Sequence, residues 1–220
     1  MKQYDLALFD LDGTLSESGE GILSSVRKVF AETGHPLPDE KTLGTFIGPP
    51  MYDSLRRYGF SHEEAENGVE IYKRHFIESG IYQNKTYQGI PEVLKALYEQ
   101  GVILAVATTK YLPFAERIIK MLDIDQYFKF IGGATSGPER RTKAKVIQYV
   151  LEQFPAVSPE RTVMIGDTKY DAEGAAQTGV HFIGCLYGYG TKEEMTVFCP
   201  SAPYINHPAE LMGCILSEGK

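Results

Sequence analysis

Tyr4–Leu15, YDLALFDLDGTL, sets an apolar run directly against a pair of acids. Leu6, Ala7, Leu8 and Phe9 have the continuous hydrophobicity of a strand covered on both faces. Asp10 and Asp12 follow at once, and a buried strand carrying both onward would pay a large desolvation cost. The strand is therefore predicted to stop at Phe9, with the aspartates on the turn beyond its carboxyl end. Gly13 lets that turn bend without a side-chain clash. In open parallel α/β sheets, ligands bind at this end. Carboxylates at i and i+2 suit paired chemistry, one attacking or holding a metal while the other handles a proton. A plainer arrangement also fits, with Asp12 opening an Asx turn and Asp10 capping the strand.

Downstream, Glu20–Thr33 places Ile22, Val26, Val29 and Phe30 on one helical face, and Gly34 suits its end. Asp39–Phe46 and Met51–Tyr58 are shorter helical stretches separated by the break Ile47-Gly48-Pro49-Pro50. Ser61, with Glu64 three residues on, is a capping-box signature. It opens a helix to about Ser79 whose buried face is Ala65, Val69, Tyr72 and Phe76. Ser16–Gly19 reads as a polar linker, and no convincing strand occurs from Ser16 to Tyr82. Residues 16–82 are expected to be an all-helical insert within a core made of 1–15 and 83–220.

From Tyr87 helices and strands alternate. Gly89-Ile90-Pro91 opens a helix that Gly101 ends, and Val102–Ala107 is a continuous apolar strand. A helix through Ala115, Ile118, Ile119 and Leu122 precedes a strand at Tyr127–Ile131. A helix at Thr142–Phe154, a strand at Thr162–Ile165 and a helix at Asp171–Gln177 follow. His181–Gly184 and Tyr204-Ile205 are candidates for the last strands, and His207–Leu216 for a final helix. This order predicts an α/β fold: a doubly wound, Rossmann-like parallel sheet entered by the helical insert after its first strand.

A net charge of −7 argues against a general nucleic-acid binder. It also means that a phosphorylated ligand needs a metal ion and local cations. No apolar run is long enough to span a membrane, and Asp5 and Asp10 interrupt any secretory signal. Cys185, Cys199 and Cys214 lack CxxC spacing and are expected to be reduced thiols in a cytoplasmic protein. Nothing chooses between a monomer and a homodimer.

Three predicted strand ends carry reactive groups. Asp10 and Asp12 follow the first. Thr108, with Thr109 and Lys110 after it, ends VILAVAT. Asp167 ends TVMIGD, with Asp171 four residues on, and Lys143 opens a helix between these two. Taken singly, Asp167 fits a helix N-cap, and Lys143 fits a solvated member of the Arg140, Arg141, Lys143, Lys145 cluster. Taken together and in this order, DxDGT, a strand-end threonine, a lysine and GDxxxD resemble the haloacid dehalogenase superfamily. The resemblance covers nearly the whole chain and is greatest to the phosphoglycolate phosphatase group, which carries a helical cap at the place of the insert.

That resemblance implies a Mg²⁺-dependent phosphomonoester hydrolase acting on a small phosphorylated metabolite. Asp10 is then the nucleophile that forms an aspartyl phosphate, and Asp12 the acid and base for the leaving oxygen and the water. Asp10, Asp167 and the backbone carbonyl of Asp12 are the implied Mg²⁺ ligands. Asp171 is either a further ligand or an orienter of Lys143. Thr108 holds the non-bridging oxygens and Lys143 balances their charge. Lys143 fits this place better than Lys145 because the apolar positions Val146 and Ile147 follow it. Thr109, where many relatives carry asparagine, and the cap residues Gly48 and Pro49 are the candidate substrate contacts. Gly48-Pro49-Pro50 equally reads as ordinary helix punctuation. The core motifs also fit a nucleotide 5′-phosphatase, a pyrophosphatase, a phosphomutase of the β-phosphoglucomutase kind, or a phosphoryl-accepting module without turnover. Nucleic acids and membranes are not expected partners.

Overall fold

Leu6–Phe9 forms strand β1, buried at every position. The chain continues through β2 (Ser16–Glu17), α1 (Gly19–Thr33), α2 (Glu40–Gly44), α3 (Met51–Arg57) and α4 (His62–Glu78). After β3 (Lys85–Thr86) come α5 (Ile90–Glu99), β4 (Ile103–Tyr111), α6 (Leu112–Met121) and β5 (Phe130–Ala134). Then follow α7 (Lys143–Leu151), β6 (Thr162–Gly166), α8 (Lys169–Thr178) and β7 (His181–Cys185). The last elements are α9 (Lys192–Thr196), β8 (Tyr204–Ile205) and α10 (Leu211–Ile215). The structure, a computed structural model, describes residues 2–137 and 139–216. Met1, Pro138 and 217–220, all within the expected core, lie outside the described residues. Two compact units result, one from Met1–Glu17 with Thr86–Lys220 and one from Ser18–Lys85.

The first unit is an α/β fold built on a six-stranded sheet in the order β5-β4-β1-β6-β7-β8. Every pairing in it is parallel. Leu6 and Leu8 of β1, Ala105 and Ala107 of β4, Met164 of β6 and Phe182 of β7 point to one face. They pack there against Val146, Ile147 and Val150 of α7 and Ala172 and Ala175 of α8. The intervening residues Ala7, Phe9, Leu104 and Val106 are just as buried on the opposite face. That double burial is why these strands read as unbroken apolar runs. β1 lies between β4 and β6, where the winding of the sheet reverses, so the residues following these three strands converge.

The second unit packs α1 to α4 around Phe30, whose ring meets Phe46, Tyr58 and Phe60 edge-on. The capping box at its last long helix is present: Ser61 accepts from the Glu64 N–H, and Glu64 accepts from the Ser61 N–H.

Several elements differ from the sequence expectation. β2, within the stretch expected to be linker, and β3, where no element is expected, are two-residue strands, too short to carry a period of two. β4 runs on from Ala107 to Tyr111, with a register shift against β5, so Thr108 lies inside the strand rather than at its end. Polar Thr108–Lys110 hid this extension. β5 is Phe130–Ala134, not Tyr127–Ile131, and Asp125–Tyr127 is a short 3₁₀ turn. In β5 a Cβ at Gly132 would lie 2.3 Å from a methyl of Val150, so close packing of α7 requires a glycine in this strand. The expected helix at His207–Leu216 divides into a 3₁₀ turn at Pro208–Glu210 and α10. α9 was not foreseen, being a single short turn capped by Thr191. Among the described residues no helix is long and apolar enough to cross a membrane.

Candidate active site

Beyond β1 the chain stays tied to β6, because the Asp10 N–H donates to Ile165 O at 2.9 Å. The Asp10 carboxylate is buried and accepts from the Leu11 N–H at 2.7 Å. Gly13 then turns the chain at a φ of +87°. Lys143, the first residue of α7, reaches in from the other side of the sheet end. Its Nζ lies 2.8 Å from Asp10 Oδ1 and 2.7 Å from Asp171 Oδ1, and donates to Ala107 O at 3.0 Å. This side chain is 3% exposed. Lys143 shares a helix face with Val146, Ile147 and Val150, which carries its ammonium inward, whereas Lys145 is exposed.

Asp171 also builds the start of α8. Its Oδ2 accepts from the Thr168 N–H and hydroxyl at 3.0 and 2.8 Å. Its Oδ1 is buried, with the ionic contact to Lys143 but no aligned hydrogen bond. Asp167, fully buried, accepts from the Thr14 hydroxyl at 2.9 Å and from the Tyr189 N–H at 2.8 Å. The loop carrying Tyr189 follows β7 and presses on this carboxylate. A Cβ at Gly188 would lie 2.3 Å from the Cβ of Asp167. Asp10, Asp167 and Asp171 each offer an oxygen, and the three lie within 4.8 Å of one another.

Burial pushes the Asp10 carboxyl up to about 6, with Lys143 pulling down against it and Asp171 adding to the rise. Burial, with the charges of Asp171 and Asp10, also holds Asp167 well above the usual carboxylate range. For Lys143 burial works downward, but Asp10 and Asp171 outweigh it and the net shift is upward. These carboxyls take up protons more readily folded than unfolded. The stability that follows is complete below the unfolded carboxyl range and is lost as pH rises through about 6 for Asp10. In chelator, the melting temperature should therefore rise between pH 7.5 and pH 5.5, and rise less in Asp10→Asn. Equal rises in the two proteins would contradict the shifted Asp10.

Asp12 sits on the same turn, and Lys110 Nζ lies 3.0 and 2.9 Å from its two oxygens. Thr108 is buried, and its hydroxyl favours the ionised Asp10 against the effect of burial. With all four carboxylates ionised, the two ammonium groups would leave an excess of two negative charges, which one divalent cation would neutralise. The donor set is all oxygen, which fits a hard ion such as Mg²⁺, and the unaligned Asp171 Oδ1 fits a site with coordination to spare. If the cluster holds Mg²⁺, Gly188→Ala, by displacing Asp167, should weaken its binding by about tenfold or more in a calorimetric titration. Unchanged affinity would remove the loop from the metal's support.

The structure brings together Asp10, Asp12, Thr108, Lys143, Asp167 and Asp171. Thr109 lies half-buried beside Thr108 on β4. Gly48 and Pro49 lie in the second unit, in the turn between α2 and α3. The sequence assigns no role to Lys110, which follows Thr108, or to Thr14 of the DxDGT motif, and does not point to the Leu186–Thr191 loop. Lys110 left one usable signal: two residues beyond Thr108, it falls on the same side of the strand.

Residues 7–185 match the family model of haloacid dehalogenase-like hydrolases. The chain belongs to this family. It is 38% identical to a 5′-nucleotidase of Pseudomonas aeruginosa over 90% of both chains. It is 39% identical to tyrosine-protein kinase PtkA of Mycobacterium tuberculosis over 84% of this chain, spanning 63% of that protein. Among solved structures, "a predicted phosphatase from Clostridium acetobutylicum" superposes with a TM-score of 0.88 at 35% identity, over 94% of this chain and 96% of the other. The chain is thus an enzyme of the phosphatase type within this family.

Proposed function

We propose that this hydrolase is a Mg²⁺-dependent phosphomonoesterase of the cytoplasm, acting on a small phosphorylated metabolite through an aspartyl phosphate on Asp10. The observation that carries this is the pairing at one sheet end of two carboxylates two residues apart, each with its own buried lysine. Asp10 attacks phosphorus as the bond to the leaving oxygen breaks, and Asp12 gives that oxygen its proton. Asp12 then takes a proton from water, the water oxygen bonds to phosphorus, and the Asp10–phosphorus bond breaks to restore the carboxylate. Lys143 and Thr108 stabilise the charge that spreads over the transferring oxygens. When bound by Asp10, Asp167 and the Asp12 carbonyl, with Asp171 beside them, Mg²⁺ supplies positive charge that offsets repulsion between Asp10 and a phosphate dianion.

In this reading 1–15 and 83–220 are the catalytic core, and the helical insert 16–82 is a cap. Thr109, Gly48 and Pro49 are the proposed substrate contacts. The cytoplasmic placement rests on cysteines left as free thiols. The relatives named as a nucleotidase and a kinase have nearly the same identity to this chain, so kinship does not choose the substrate. A Mg²⁺-loaded steady-state panel of phosphoglycolate, nucleoside monophosphates, sugar phosphates and pyrophosphate, with Asp10→Asn as blank, tests the proposal. One substrate well above the rest in kcat/KM names the reaction. No activity above the blank would contradict it in favour of a phosphoryl-accepting module.

A further inference from the structure

Lys110 brings a buried ammonium to the site that the steps above do not use. Its Nζ bonds both oxygens of Asp12, and the two side chains are 5% and 13% exposed. Among the described residues, the hydrogen bonds to the Asp12 carboxylate come from Lys110 alone. The backbone N–H of the same lysine donates to Thr108 Oγ1 at 3.2 Å. This reach depends on β4 running on past Ala107, which buries Thr108 and Lys110 while leaving Thr109 and Tyr111 half-buried.

A carboxylate on a turn has two free side-chain torsions. An ammonium bonded to both of its oxygens fixes them, and burial makes the contact stronger than a solvated surface pair. The other ammonium of the site is committed to Asp10, Asp171 and a carbonyl, so it cannot substitute. We infer that Lys110 is a positioning residue for proton transfer: it holds the Asp12 carboxyl toward the leaving oxygen and acts through Asp12, not on the substrate. The inference rests on the acid role proposed for Asp12.

The test uses leaving groups of different need. Phenyl phosphate releases an oxygen that requires a proton, whereas 2,4-dinitrophenyl phosphate releases one that does not. kcat/KM reports the steps through formation of the aspartyl phosphate, so it isolates the acid step. Lys110→Met should lower kcat/KM on phenyl phosphate about 10²-fold and on the dinitrophenyl ester less than about threefold. In an Asp12→Asn background, Lys110→Met should add less than about threefold on phenyl phosphate. Equal losses on both esters, or the full loss in the Asp12→Asn background, would overturn the inference and make Lys110 a substrate contact. An Asp12→Asn protein with wild-type kcat/KM on phenyl phosphate would overturn the acid role itself, whatever Lys110→Met does. If Lys110→Met does not fold, Lys110→Gln gives the same comparison.

Discussion

Asp10→Asn is expected to lose at least about 10⁴-fold in turnover while folding as the wild type does. The substitution keeps shape and volume but replaces the oxyanion that attacks phosphorus with an amide that does not. The site around it is set for a charged oxygen, with Lys143 at 2.8 Å and a backbone N–H at 2.7 Å. Stability should not suffer. The carboxylate cluster holds an excess of negative charge, burial already works against the ionised Asp10, and Asp171 still pairs Lys143. Phosphate release and thermal melting measured on one preparation separate the two effects. A variant that keeps activity within about tenfold of wild type would remove Asp10 from the chemistry.

Lys143→Ala should be the most damaging single change to the fold of the site, at about 3–5 kcal/mol. Its ammonium is enclosed by two carboxylates and a carbonyl, with the third acid of the cluster close by. Removing it leaves Asp10 and Asp171 buried against each other with no counter-charge. Activity should fall with it, by about 10²-fold or more, because the charge spreading over the phosphoryl oxygens loses its partner. Lys145→Ala, on the exposed side of the same helix, should leave both properties near wild type. Denaturant unfolding and kcat of the two variants make the comparison. The reverse ranking would transfer the role to Lys145.

These two lysines show what the sequence could carry. Both belong to one basic cluster and look alike in composition. They differ in helical phase: Lys143 is three, four and seven residues before Val146, Ile147 and Val150, and so shares their inward face. Local signals of this kind also revealed β1, its turn and the Ser61 capping box, because each is settled by neighbours in the chain. Lys110 is different. Its partner Asp12 is 98 residues away, and the one local signal, its spacing of two from Thr108, does not point to that partner. The strand that delivers it is polar at Thr108, Thr109 and Lys110, so it lacks the apolar pattern by which strands are read. The hold on Asp167 was equally hidden, since it comes from a backbone N–H and from the absence of a side chain at Gly188. A backbone donor has no residue type, and a glycine in a loop looks like any other turn former.

The most direct measurement is a rapid-quench reaction of the Mg²⁺-loaded enzyme with the best substrate of the panel, followed by digestion and mass spectrometry. The account predicts a phosphoryl adduct on Asp10 that forms and decays within the turnover time and is released by hydroxylamine, as an acyl phosphate is. Steady turnover with no adduct on Asp10, or an adduct on a different residue, would contradict it.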